Sequence, residues 1–142
     1  MVDKQVALRK LSKLNQYLKE LKTFKDITWE EYMNDFQIQR TVERLIQLIV
    51  DVATDLNAHA VVDAHNPAPS DSYDSFIQAA KLGLYPLDFA RQIAPSTGER
   101  NIIVHEYEEI DDGIVYDSIE QTLTMYERYY RHVFRFIESI SE

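Results

Sequence analysis

Three segments of the sequence carry apolar residues at alternating spacings of four and three positions. This spacing places the apolar side chains on one stripe of a helix, whereas on a strand it would scatter them over both faces. The first stripe comprises Ala7, Leu11, Leu14, Leu18 and Leu21. The second comprises Ile38, Val42, Leu45, Ile49, Val52 and Leu56. The third comprises Ile119, Leu123, Tyr126, Tyr130, Val133, Ile137 and Ile140. We therefore predict three long amphipathic helices, and no segment needs to be a strand.

Shorter helices between these stripes have recognisable ends. Thr28 followed by Glu31 has the form of a capping box, in which a hydroxyl and a carboxylate satisfy free amide groups at a helix start. A second short helix resumes near Ser72, after a loop rich in proline and small polar residues. We expect it to end at Gly83, as a left-handed cap, and the next helix to begin after Pro86, because the fixed φ of proline suits a first turn.

These elements together predict an all-α fold. We expect an antiparallel helical bundle of four long helices plus short extra helices, because regular apolar stripes pack against one another at shallow crossing angles. The proline-containing loop at residues 65–71 lies within one domain, since too few residues flank it for two separate cores. The predicted domain spans residues 1–142.

Charge and composition restrict the chemistry. The chain of 142 residues has no cysteine, and its 15 Lys and Arg against 24 Asp and Glu give a formal net charge of −9. The lack of cysteine excludes disulfide scaffolds, thiolate zinc sites and cysteine nucleophiles. The acidic balance argues against indiscriminate binding to phosphate backbones. Residues 1–25 are the exception, because seven basic residues face two acidic ones there and make the first helix locally basic.

The sequence shows no evident membrane or export signal. We find no run of about 18 apolar residues, and the N-terminal sequence MVDKQVALRK lacks the apolar segment of a secretory signal. We therefore expect a cytoplasmic protein that does not bind a membrane.

Arg100, Asn101, His105 and Tyr107 gather four chemically capable side chains within eight residues. Cleavage of RNA is one reaction that such a set of side chains could perform. RNA carries its own nucleophile in the 2′-hydroxyl, so its cleavage needs a group that moves protons near neutral pH and a fixed cation for the charge that develops at phosphorus. His105 titrates in that range, and the Arg100 guanidinium stays charged. Asn101 could orient His105 or hold a phosphate oxygen, and Tyr107 could bind the same phosphate or stack on a base. This chemistry requires neither a metal ion nor another cofactor.

The spacing of Arg100 and His105 bears on the oligomeric state. Positions five apart on an ideal helix differ by about 140°, so these two side chains would not share a face, whereas Arg100 and Tyr107 would. We therefore expect the catalytic groups to meet across a two-fold interface between two copies of the chain.

The string GERNIIVHEY at residues 98–107 resembles the signature of HepT-like proteins of the HEPN superfamily, Arg-x4-His-x-Tyr with Asn after the Arg. The resemblance extends to the second long helix, to residues 72–76, to Gly83-Leu84 and to the chain length, so it covers most of the chain. It implies a helical bundle that dimerises so that the motifs of both protomers line one cleft. It also implies a metal-independent ribonuclease that acts as the toxin of a bacterial toxin–antitoxin pair.

The same resemblance implies roles for single residues and partners. Arg100 and His105 match the catalytic pair, Asn101 matches the supporting polar residue, and Tyr107 matches the tyrosine onto which an MNT-type nucleotidyltransferase antitoxin transfers AMP. The implied substrate is transfer RNA or messenger RNA, and no DNA is expected. The alternative function is a non-enzymatic helical partner, or acceptor subunit, of a nucleotidyltransferase, which would need only the tyrosine.

Two further groups of residues suggest metal binding less strongly. His59, Asp63 and His65 could form a metal triplet, but Asp55 and His59 are an equally good hydrogen-bonded pair on one helix. An acidic run could coordinate a hard cation, although helix capping and repulsion of wrong partners are its more usual roles. This run comprises Glu106, Glu108, Glu109, Asp111 and Asp112. We expect no metal site.

The tyrosines of the third stripe are the last candidates. Tyr126 and Tyr130 lie on the apolar stripe, which predicts core or interface positions with a polar tip. Tyr129 lies off that stripe, and we expect it to be exposed.

Overall fold

The computed structural model describes residues 2–98 and 112–140 of the chain. In these residues it contains six helices, a further helical stretch at residues 96–98 and no strand, which confirms the all-α prediction. The helices are α1 (Lys4–Lys22), α2 (Trp29–Asn34), α3 (Phe36–Asp63), α4 (Ser72–Lys81), α5 (Leu87–Ile93) and α6 (Asp112–Glu138). Three are long, with 19, 28 and 27 residues in α1, α3 and α6, whereas α4 has ten.

The three long helices form the core of the bundle. All five residues of the first stripe are buried in α1, and most residues of the other two stripes are buried in α3 and α6. α1 runs antiparallel to α3, because Asp3 N donates to Asp63 Oδ2 at one end (3.0 Å) and Lys10 pairs with Asp55 further along. α6 contacts both of these helices, while α4 covers another side of α3.

The predicted helix ends are confirmed where the structure describes them. Thr28 Oγ1 accepts from Glu31 N (3.1 Å), and Glu31 Oε1 accepts from Thr28 N (3.2 Å), which completes the capping box of α2. Gly83 follows α4 with a φ of 97°, a conformation that glycine adopts without steric cost. α5 begins directly after Pro86. These ends set the direction in which each helix enters the bundle.

α3 corrects the expectation that no segment has the character of a membrane span. By length and composition it passes as one, with a mean hydropathy of 1.4 over its most apolar 18 residues. Half of that stretch is buried inside the protein, which is also typical of the core helix of a soluble bundle. The apolar character arises because α1, α4 and α6 all contact α3.

The expectation that Tyr129 is exposed is also wrong, because its side chain is buried. Its ring lies in an aromatic cluster, with centroids 5.9 Å from Phe76 and 5.5 Å from Tyr85. Its hydroxyl reaches Asn57 Oδ1 at 2.7 Å. α6 is therefore covered on two sides, by α3 and by the α4–α5 region, and a single apolar stripe underestimates its buried face.

Candidate functional site

The four motif residues Arg100, Asn101, His105 and Tyr107 lie in residues 99–111, outside the described residues. The structure therefore neither brings them together nor separates them. We call residues 99–111 the motif segment. The described chain reaches it at two points, at residues 96–98, which are helical, and at Asp112, the first residue of α6.

The chain that leads into the motif segment is held against the middle of α6. Ser96 Oγ and the Tyr126 hydroxyl share a hydrogen bond of 2.6 Å. Thr97 is buried, and its hydroxyl donates to the carbonyl oxygen of Ala94 (2.9 Å). A small cleft of about 90 Å³ lies beside them, with Gln92 and Gln121 among its lining residues. Polar groups of α5 and α6 thus surround the entry to the segment.

The chain that leaves the motif segment starts on an aromatic cluster. The Tyr116 ring lies 5.3 Å from that of Trp29 and 5.4 Å from that of Tyr32, measured between centroids. The Tyr116 hydroxyl donates to the carbonyl oxygen of Ile27 (2.7 Å). These contacts fix the first turn of α6, which includes Asp112, against α2 and the turn before it.

A buried carboxylate and a buried phenol lie near the same end of α6. Glu43 is 4% exposed, and its Oε2 accepts from Arg40 Nη1 at 2.9 Å. Tyr32 is fully buried, and within the described residues its hydroxyl has no hydrogen-bond partner. The pKa of Glu43 is raised, chiefly by burial and further by Asp112, although the charge and the hydrogen bond of Arg40 lower it. Burial also raises the pKa of Tyr32, with Glu43 and Asp112 adding to the effect, so the phenol stays protonated.

A second buried polar group lies deeper in the bundle, around the side chain of Asn57. Asn57 Oδ1 lies within hydrogen-bond distance of the Tyr129 hydroxyl (2.7 Å) and the Tyr85 hydroxyl (3.2 Å). Asn57 Nδ2 donates to Ser75 Oγ (3.4 Å). Burial raises the pKa of both tyrosines, which keeps them neutral donors. This network joins α3, α4, α6 and the chain before α5, and its role is to fix their relative positions.

Sequence reasoning missed Glu43 and Asn57, although a signal for both exists. The buried residues of α3 include a second stripe at spacings of four and three, beside the apolar one. Its members are Gln39, Glu43, Ile46, Val50, Ala53, Asn57 and Ala60. Three of them are polar, which hid the stripe from a search for apolar residues. Gln39 and Asn57 meet partners on α2 and α4, whereas Glu43 pairs with the exposed Arg40 one turn earlier on α3.

The alternative metal triplet is not assembled. His59 Nε2 lies 3.2 Å from Asp63 Oδ2, four positions along the same helix, and Asp63 also accepts from Asp3 N. Asp55 pairs with Lys10 of α1 instead of His59. Across residues 2–98 and 112–140, no group of three or more His, Asp or Glu side chains is arranged to hold a metal ion. Of the acidic run, only Asp112 lies among the described residues.

Comparison with known families and proteins complements this geometry. A model of the family described as ribonuclease HepT-like matches residues 14–133. The chain is 34% identical over 133 residues to the tRNA nuclease HepT of Aphanizomenon flos-aquae, an alignment that covers 94% of this chain and 90% of that protein. It is 26% identical over 99 residues to the mRNA nuclease HepT of Shewanella oneidensis, covering 70% and 74%.

Solved structures share the fold. A tri-AMPylated HEPN toxin from Shewanella oneidensis, in complex with an MNT antitoxin, superposes with a TM-score of 0.80. The alignment covers 92% of this chain and 97% of that one, at 22% sequence identity. At this identity the likeness establishes a common helical architecture.

Proposed function

The chain belongs to the ribonuclease HepT-like family, and from this membership we propose that it is a ribonuclease that acts as the toxin of a toxin–antitoxin pair. The observation that carries the proposal is the complete motif, Arg100-Asn101-x3-His105-x-Tyr107, inside the matched residues 14–133. A HepT nuclease that acts on tRNA is 34% identical over nearly the whole chain, which supports tRNA as the first substrate to test.

In the proposed reaction, RNA supplies the nucleophile. His105 accepts the proton of the 2′-hydroxyl as its oxygen attacks the adjacent phosphorus, and the bond from phosphorus to the 5′-oxygen breaks. The leaving 5′-oxygen takes up a proton from water, and His105 returns its proton to the solvent, so that the products are a 2′,3′-cyclic phosphate and a 5′-hydroxyl. Arg100 neutralises the charge that develops on the phosphate oxygens. Asn101 supports this pair, and the reaction uses no metal ion.

We further propose that an MNT-type nucleotidyltransferase antitoxin silences this activity by transferring AMP to Tyr107. The tri-AMPylated state of the Shewanella oneidensis HEPN toxin, which was solved with an MNT antitoxin, supports this assignment. AMP on Tyr107 would bring a negatively charged phosphate within two residues of His105, where it would compete with the RNA phosphate for Arg100. The pair would act in the cytoplasm, and the toxin as a homodimer.

The test is cleavage of purified tRNA in the presence of a chelator. Wild-type protein is expected to produce fragments that end in 2′,3′-cyclic phosphates. Arg100→Ala and His105→Ala are each expected to lower the rate by about 100-fold or more, since each removes one catalytic group. Arg91→Ala and His59→Ala are matched controls with the same residue types outside the motif, and both should cleave like wild type.

The same assay separates the proposed enzyme from an acceptor subunit. Incubation with the MNT-type nucleotidyltransferase antitoxin and ATP should add the mass of an adenylyl group at Tyr107 and abolish cleavage. Modification of Tyr107 in a wild-type protein that cleaves no RNA would instead identify an acceptor module. Full activity of either motif variant would contradict the catalytic assignment.

A further inference from the structure

A groove runs between the C-terminal half of α1 and α6. At one end it measures about 240 Å³, with Lys19 and Lys22 of α1 facing Tyr130 and Arg131 of α6. It continues past Lys22 and Lys25 along Glu120 and Glu127. The neighbouring depression is lined by Lys25 and, on α6, by Tyr116. The three hollows share lining residues, so they form one continuous surface feature.

The α1 edge of this groove is a row of exposed ammonium groups. Lys19, Lys22 and Lys25 are all exposed, and none forms an ion pair with another described residue. Lys19 and Lys22 lie three positions apart on α1, a rise of about 4.5 Å along the helix, and Lys25 follows in the turn after α1. Arg131 adds a fourth cation from the opposite wall. The carboxylates of the groove, Asp117, Glu120 and Glu127, all belong to α6, so the positive charge lies on the α1 side.

The same groove offers an aromatic surface. The Tyr130 ring stacks on Phe134 with centroids 6.1 Å apart and an interplanar angle of 12°. Phe134 is 38% exposed, so the pair reaches the solvent beside the groove. Cations that follow a backbone, together with exposed aromatic rings on which bases stack, are the two features by which proteins bind single-stranded nucleic acid.

The groove also runs toward the end of α6 that joins the motif segment. Lys19 lies at the level of Arg131, and Lys25 at the level of Tyr116, so α1 and α6 are antiparallel here. Tyr116 follows Asp112 by a single helical turn. From Arg131 to Tyr116 the groove extends for about 22 Å, which is long enough for several nucleotides.

We propose that this groove binds a single-stranded part of the RNA substrate. Its phosphates contact Lys19, Lys22 and Lys25, and Tyr130 provides a surface for a base. This inference rests on the proposed ribonuclease function and adds the surface by which the substrate is held. It also gives a role to three of the seven basic residues that residues 1–25 contain.

The experiment compares two double variants of α1 that lose the same charge. K19Q/K22Q removes two cations of the groove, whereas R9Q/K13Q removes two cations that line a different hollow, between α1 and α3. Each is combined with His105→Ala so that RNA is not cut during the titration. Binding of a fluorescent single-stranded RNA oligonucleotide is measured by anisotropy over a range of salt concentrations.

K19Q/K22Q is expected to weaken binding by about tenfold and to reduce the slope of log K against log salt by about 1.4, two phosphate contacts at about 0.7 each. R9Q/K13Q should bind like the His105→Ala parent. In the His105-containing protein, K19Q/K22Q should slow cleavage of tRNA while leaving cleavage of a dinucleotide, which is too short to occupy the groove, unchanged.

Two results would overturn the inference without touching the proposed function. One is equal RNA affinity of K19Q/K22Q and R9Q/K13Q in a protein that cleaves tRNA. The other is normal RNA binding by K19Q/K22Q with loss of binding to the nucleotidyltransferase, which would identify the groove as a protein-docking surface. A wild-type protein that neither binds nor cleaves RNA would overturn both proposals together.

Discussion

A single buried amide joins three helices of this protein. Asn57 of α3 meets Ser75 of α4, Tyr85 in the chain before α5 and Tyr129 of α6 through side-chain hydrogen bonds. A buried polar group that is hydrogen-bonded on every side specifies one arrangement of the elements around it, because any displacement leaves donors or acceptors unpaired. Asn57 therefore determines how α4 and α6 are positioned relative to α3.

The contribution of this network is measurable with Tyr129→Phe. The substitution keeps the ring contacts with Phe76 and Tyr85 but removes the hydroxyl that reaches Asn57 Oδ1 and the Ala53 carbonyl oxygen. We expect the free energy of unfolding to fall by about 1 kcal/mol, the usual net contribution of one such hydrogen bond. Urea denaturation measures the change. Tyr73→Phe is the control, because Tyr73 is 46% exposed; an equal effect of both substitutions would contradict the proposed role of the network.

At the scale of the helices, the sequence predicts an element wherever apolar spacing or a cap is strong. The stripe of α1, the capping box at Thr28 and the turn at Gly83 are all recovered in the structure. The second buried stripe of α3 is not, because the polar residues Gln39, Glu43 and Asn57 interrupt it. Glu43 pairs with Arg40 of α3 itself, whereas the partners of Gln39 and Asn57 lie on other elements. Local spacing carries no information about such partners.

Dependence on residues that are distant in the sequence also explains the two corrected expectations, and it explains why the distances within the motif could not be derived from the sequence. Tyr129 is buried by Phe76 and Tyr85, residues far away in the sequence, and α3 is apolar because four other helices contact it. For the motif, the sequence supplies the residue types of Arg100, His105 and Tyr107. Their mutual distances depend on tertiary geometry, and for these residues they remain a prediction.

The junction of α2, α3 and α6 gives a prediction of pH dependence through Glu43. Its folded-state pKa is raised, mainly by burial. Between the ordinary value of about 4.5 and that raised value, the folded protein binds more protons than the unfolded chain, so the free energy of unfolding falls as the pH rises. Glu43→Gln cannot titrate, and we expect the variant to gain stability relative to wild type as the pH rises through this window.

Thermal unfolding of both proteins between pH 4 and pH 7 tests this expectation. Glu30→Gln serves as the control, because Glu30 lies on the exposed face of α2. A stability difference between Glu43→Gln and wild type that stays constant over the whole range would show that the Glu43 carboxyl does not titrate differently in the folded protein.

For the molecule as a whole, charge is divided between two regions. The net charge of −9 opposes general attraction to RNA, while the exposed lysines of α1 form a local basic edge against this acidic background. We infer weak affinity for arbitrary RNA combined with a defined path for one strand. The acidic remainder also suits an antitoxin with a basic surface.

The proposed homodimer makes its own prediction for the whole molecule. Light scattering should give a mass of about twice 16.7 kDa. If Arg100 and His105 of different protomers meet in one cleft, mixed dimers of an Arg100→Ala chain and a His105→Ala chain contain one intact pair and should recover part of the cleavage activity that each variant lacks alone. A protein that is strictly monomeric and fully active would defeat the two-fold arrangement.

The apolar composition of α3 has a consequence for folding while the protein is being synthesised on the ribosome. α3 is synthesised before α6, which covers it at Ala53 and Asn57. At usual rates of translation, α3, which is apolar enough by composition to resemble a membrane span, is therefore exposed for several seconds before α6 is complete. During that interval the face of α3 that α6 covers stays exposed, so we expect a message truncated before α6 to yield a fragment that aggregates.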